Sequence, residues 1–170
     1  MNELYSRVYD QSCFDINEQI VKNFDSLSDD DFKEKTHMFN GRYENIYLQQ
    51  EKIPGLETII KVAKQNAAKI LNVTEDQLMF GFWLNAMNAG DVTTAHTHDD
   101  DDELLSCVYY IMAPENSGDL IITVDNKKTV IPPEEGNFVF FSPDTLHEVS
   151  ENKSGQSRLS IAFNFGLMRT

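Results

Sequence analysis

The spacing of apolar side chains along the chain changes character near residue 78. Before that point it is helical. Ile16, Ile20, Val21, Phe24 and Leu27 recur at intervals of three and four, which predicts an amphipathic helix with Asp15 as a candidate cap. Pro54-Gly55 opens a second helix. Its stripe is Leu56, Ile59, Ile60, Ala63, Ala67, Ile70 and Leu71, with Lys61, Lys64, Gln65 and Lys69 on the opposite side. Between the two, Ser28 to Lys35 is polar and acidic and reads as a surface turn or short helix, and Tyr43 to Leu48 reads as a strand. After residue 78 the pattern is one of short strands punctuated by turns. Apolar runs at Met79–Met87, Leu104–Met112, Leu120–Val124, Thr129–Ile131, Phe138–Phe141, His147–Val149 and Arg158–Phe165 alternate with Asn88-Ala89-Gly90-Asp91, Pro114 to Gly118, Asp125-Asn126 and Pro132 to Gly136. Seven or eight strands at near-regular spacing predict an antiparallel jelly roll or sandwich with helices packed on one face. Residues 1–170 are expected to form a single domain, with a largely helical support over 1–77 and the jelly-roll core over 78–170.

Composition narrows the partners. The formal charge of -14 at pH 7 sets the chain against nucleic acid and anionic membranes, both of which would repel it. No apolar stretch approaches the ~20 residues of a membrane span. Met1-Asn2-Glu3-Leu4-Tyr5 has no basic segment followed by an apolar run, so no signal peptide is expected. Two cysteines, Cys13 and Cys107, make no disulfide framework and predict a reducing, cytoplasmic setting. The sequence leaves the oligomeric state open, a homodimer included.

The chemistry concentrates in Ala95 to Glu103, which holds two of the four histidines and a run of carboxylates. At or just past the end of a strand, side chains alternate faces, so His96 and His98 share a direction, as do His98 and Asp100. His147 lies in a distant strand-like stretch. Two imidazoles and a carboxylate on one face, with open positions beside them, suit a mononuclear iron oxygenase. Arg158 and Ser160 lie on one side of the last strand. A guanidinium fork beside a hydroxyl suits a carboxylate. Trp83 and Asn85 face the same way, and Asn85 could reach the cavity and the substrate.

Over residues 79–166 this constellation resembles the 2-oxoglutarate/Fe(II)-dependent dioxygenases, and within them a subfamily of small, prolyl-hydroxylase-like oxygenases. The resemblance is carried by Trp83-Leu84-Asn85, Gly90, His96-Thr97-His98, Leu105 to Tyr110, Pro114 to Gly118, Pro133 to Gly136, His147-Glu148-Val149 and Arg158 to Asn164. It implies a double-stranded β-helix, an Fe(II) centre and 2-oxoglutarate as co-substrate. It also implies hydroxylation of a small-molecule or peptide substrate, with release of succinate and carbon dioxide. Ser106 and Tyr110 hold the places at which prolyl-hydroxylase-like relatives touch 2-oxoglutarate, beside Arg158 and Ser160. The metal ligands stand in two registers. The spacing from Gly90 selects His96 and His98, with a histidine where the family has an acid. A shift of two selects His98 and Asp100. His147 belongs to both.

The cupins are a second resemblance. Gly90, His96, His98 and Glu103 fit their first motif, and Gly136 to His147 part of their second, which would make Glu103 a ligand and dispense with 2-oxoglutarate. Tyr110 stands where the first motif has glycine, and a cupin has no use for Arg158 with Ser160. A non-catalytic jelly-roll binding module is the third reading.

Overall fold

The computed structural model describes residues 4–98 and 102–168. In chain order the elements are β1 (Tyr5–Tyr9), α1 (Gln11–Asp25), β2 (Phe32–Phe39), β3 (Arg42–Leu48), α2 (Leu56–Leu71), β4 (Leu78–Met87), β5 (Thr93–His96), β6 (Leu105–Met112), β7 (Leu120–Val124), β8 (Lys127–Ile131), β9 (Asn137–Phe141), β10 (Leu146–Val149) and β11 (Arg158–Leu167). They form two antiparallel sheets. The larger has the order β1-β9-β6-β11-β4-β3-β2 and the smaller β5-β10-β7-β8. The eight strands β4 to β11 make the expected jelly roll, and the helices cover the outer face of the large sheet.

Alternation along the central strands explains this layering. Every residue of β9 is buried. Phe138 and Phe140 join Ile20, Ile59 and Ala63 in a core under the helices, whereas Val139 and Phe141 pack with Leu120, Ile122 and Ile131 between the sheets. The neighbouring strand does the same with its tyrosines. Tyr109 points to α1 and donates to Asn17 Oδ1 at 2.8 Å, while Tyr110 turns into the space between the sheets. Burying such side chains contributes roughly 1.5–3 kcal/mol each. The Asp125-Asn126 turn closes the β7–β8 hairpin with both residues at positive φ, +49° and +61°, as a two-residue turn of that type requires.

Three local expectations change. The cap of α1 is Asp10, not Asp15: Asp10 is extended and accepts from Cys13 N at 2.9 Å, a bond worth ~1 kcal/mol, and Asp15 lies inside the helix. Ser28 to Lys35 is a single 3-10 turn that runs into β2. The first 77 residues are also not simply a helical support, because β1 lengthens the large sheet at one edge and the β2–β3 hairpin at the other. α2 begins where Pro54-Gly55 predicts. Gly55 has φ +100° and lies against α1, where an added Cβ would stand 3.4 Å from Ile20. No helix among the described residues is long and apolar enough to cross a membrane.

Candidate metal centre and anion pocket

Three histidines meet at one end of the cavity between the sheets. His96 closes β5 and is the cross-strand partner of His147 on β10. His98 follows just past the strand, where its backbone N–H donates to Pro143 O at 2.7 Å. One ring nitrogen from each of the three lies within 4.8 Å of the other two. The backbone sets which nitrogen that is for two of them. A carbonyl oxygen can only accept, so the contacts of His96 Nδ1 with Thr94 O (2.6 Å) and of His147 Nδ1 with Thr145 O (2.8 Å) place the protons on Nδ1. Nε2 then carries the lone pair, which is the form that ligates a metal. Aromatic rings steady the cluster: Trp83 stands 5.4 Å from His98, and Phe141 meets His147 edge-on at 4.8 Å. Burial, with His96 nearby, pushes the His147 pKa down to about 3, although its bond to Thr145 opposes the shift. His147 is therefore a neutral imidazole across the physiological range.

Arg158 lies further along the same cavity. It opens β11 and is 1% exposed. Its Nη1 donates to Gly118 O at 2.5 Å and, at the limit of a hydrogen bond, to Ser117 O at 3.4 Å. Among the described residues Nε has no partner, and the buried Tyr110 hydroxyl has none either. The guanidinium carbon sits 5.2 Å from the centre of the Tyr110 ring. Among the described residues Arg158 forms no ion pair. A buried cation beside two unused donors is costly unless an anion completes it.

All the described site residues expected from the sequence line this one cavity: His96, His98, His147, Arg158, Ser160, Tyr110, Ser106 and Asn85. Their bonding differs. Ser160 is paired in register with Tyr110 and is buried. The Ser106 hydroxyl donates to Asn164 Oδ1 at 2.8 Å. Asn85 is already held at both ends of its amide, by Arg42 Nη2 at 2.6 Å and by Thr93 Oγ1 at 3.2 Å. Asp100 lies outside the described residues. Glu103 lines a separate depression with Tyr47 and Phe80 and is not in the histidine cluster. Asn164, which its even spacing puts on the same side of the last strand as Arg158 and Ser160, lines the cavity too, although the sequence reading assigned it no role. That reading missed the carbonyls of Thr94, Thr145 and Gly118, which any residue type could supply.

The residues fit two ligands of different chemistry. Imidazole nitrogens converging on one point suit a first-row divalent metal. The orphaned Arg158 Nε and Tyr110 hydroxyl suit a carboxylate.

Residues 81–164 match a family described as "Putative 2OG-Fe(II) oxygenase". No curated protein matches the chain. Solved structures share the fold at low identity. A prolyl-4-hydroxylase from Pseudomonas putida superposes with a TM-score of 0.72 at 16% identity, over 96% of this chain and 92% of that one. A prolyl hydroxylase from Trichoplax adhaerens, solved with a hypoxia inducible factor peptide, gives 0.72 at 13% identity, over 96% and 83%. A viral collagen prolyl hydroxylase from Paramecium Bursaria Chlorella virus-1 gives 0.64 at 19% identity, over 98% and 91%.

Proposed function

We propose, on the premise that this chain belongs to the 2OG-Fe(II) oxygenases, an assignment of roles to its own side chains. The enzyme is an Fe(II)- and 2-oxoglutarate-dependent hydroxylase. The metal with its co-substrate supplies oxidation of a C–H bond in a second substrate, with succinate and carbon dioxide as co-products. His96, His98 and His147 hold the metal. Arg158 Nε and the Tyr110 hydroxyl bind the distal carboxylate of 2-oxoglutarate, with Ser160 beside them. Ser106 acts through Asn164, which its hydroxyl keeps oriented. Asn85, with both ends of its amide engaged, shapes the wall that a substrate would meet. Trp83 packs beside His98, and Phe141 packs beside the buried His147.

One observation carries this reading: a buried arginine with an unused Nε lies in the same cavity as three converging histidines. A cupin without 2-oxoglutarate needs neither Arg158 nor the orphaned Tyr110 hydroxyl, and its extra ligand, Glu103, belongs to another depression. The substrate is a small molecule or a peptide. Cytoplasmic residence is part of the same proposal, supported by two free and buried cysteines.

The test is an anaerobic titration with Fe(II) and 2-oxoglutarate. A visible charge-transfer band is expected for the native protein and for Asp100→Asn, and none for His96→Ala. A band that persists in His96→Ala and vanishes in Asp100→Asn would overturn the three-histidine seat. No band in the native protein would overturn the co-substrate assignment.

A further inference from the structure

The N-terminal hairpin reaches into the metal centre from outside the family-matched residues. Glu44, on β3, is 4% exposed. Its carboxylate takes two bonds from one residue of β5: Thr94 N–H donates to Oε1 at 2.7 Å, and the Thr94 hydroxyl donates to Oε2 at 2.8 Å. Thr94 is also the residue whose carbonyl holds His96 Nδ1 at 2.6 Å.

The topology shows why a carboxylate is needed there. Among the described residues β5 is an edge strand, paired only with β10 in the small sheet, so amides on its outer side have no strand of that sheet to donate to. β3 belongs to the other sheet. Glu44 therefore bridges the sheets at the strand that bears His96. Arg42 supports it from two residues away. Its guanidinium is 4.0 Å from Glu44 and 3.6 Å from Asp91. It donates to Ala86 O and Val92 O at 2.7 Å each, and to Asn85 Oδ1 at 2.6 Å. A buried carboxylate without such a neighbour would carry the full cost of its charge.

We infer that Glu44 is a positioning residue for the metal centre, acting through Thr94 to set the place and orientation of His96. The inference rests on the three-histidine reading. Both bonds are to a residue whose carbonyl fixes the His96 tautomer, so loosening Thr94 frees the imidazole to rotate or to move its proton to Nε2. Partners that orient a ligand in this way are typically worth 10- to 100-fold in metal affinity.

The experiment is a Co(II) titration of the full chain, following ligand-field absorption and affinity, with His96 followed in the metal-free protein by long-range proton–nitrogen NMR. Wild type is expected to bind Co(II) and to show His96 as the Nδ1–H tautomer. Glu44→Ala is expected to bind Co(II) at least tenfold more weakly, with an altered spectrum and mixed His96 tautomers. Glu44→Gln retains an acceptor for Thr94 N–H and is expected to recover to within about threefold of wild type. Should Glu44→Ala not fold, Thr94→Val decides: it removes one of the two bonds and should weaken Co(II) about threefold while broadening the His96 signals. Unchanged affinity and tautomer in a folded Glu44→Ala, or in Thr94→Val if that variant must serve, overturns the inference and leaves the metal assignment standing. If wild type binds no Co(II), or if His96→Ala binds it as well as wild type does, both fall.

Discussion

Replacing Arg158 by methionine should separate stability from co-substrate binding. The guanidinium is 1% exposed, with one good hydrogen bond, from Nη1 to Gly118 O, and an Nε unused among the described residues. Desolvating such a charge costs several kcal/mol, and a bond from a charged donor returns only ~1.5–3 kcal/mol. Methionine has similar length, removes the charge and leaves Gly118 O without its donor. The two changes nearly cancel, so the empty variant should melt no more than about 4 °C below wild type, at ~2–4 °C per kcal/mol for a chain of this size. Ligand binding should respond quite differently. The one charge-assisted bond from Nε to a carboxylate, at ~1.5–3 kcal/mol, corresponds to a loss of about 10- to 100-fold in 2-oxoglutarate affinity. Thermal melting with Mn(II), with and without 2-oxoglutarate, reads both quantities. At a hundredfold excess over Kd, wild type should gain ~2.7 kcal/mol, roughly 5–11 °C, and the variant about half of that or less. A variant that melts more than 10 °C lower when empty, or that keeps the full ligand shift, would refute this account of Arg158.

Two further outcomes follow from the same cavity. Tyr110→Phe removes a buried hydroxyl that has no partner among the described residues, so the empty protein should be as stable as wild type or slightly more so, while calorimetry should show 2-oxoglutarate binding weakened about three- to tenfold. The metal-free protein should lose stability in acid through His147. Its folded pKa, about 3, lies below the unfolded value of ~6.5, so between these values the unfolded chain binds the proton and the folded chain does not. Stability from this group is full above pH ~6.5 and falls as pH drops towards 3, by ~2 kcal/mol at pH 5. Denaturant unfolding of wild type and His147→Phe across that range checks it: equal slopes against pH would exclude His147 as the source.

The strands after residue 78 were legible because burial on both faces or on one face leaves its mark in the residue types. β9 is a continuous apolar run, and α2 carries an unbroken stripe. The shared direction of His96 and His98 followed from alternation, His147 joins them as the distant member that an oxygenase-type site calls for, and the cavity places Arg158 and Ser160 together as their spacing implies. β2 escaped notice because it is an edge strand, Phe-Lys-Glu-Lys-Thr-His-Met-Phe, whose exposed positions carry the charges of a surface turn. Arg42 and Glu44 escaped for another reason. A charged side chain is buried only because distant groups satisfy it, and Thr94 stands fifty positions from Glu44. Nothing local marks that pairing. The carbonyls that orient His96 and His147 have no sequence signature at all.

The pairing of β1 with β9 has a consequence for how the chain is made. Tyr5 meets Phe141, 136 positions later. At ~5–20 residues per second, the first strand waits roughly 7 to 27 s on the ribosome before its partner exists. During that wait β1 has no ladder, and once β9 emerges its Phe-Val-Phe-Phe edge has no cover until β1 docks. The sheet that carries the cavity floor is therefore sealed at that edge by a strand made 136 positions ahead of its partner.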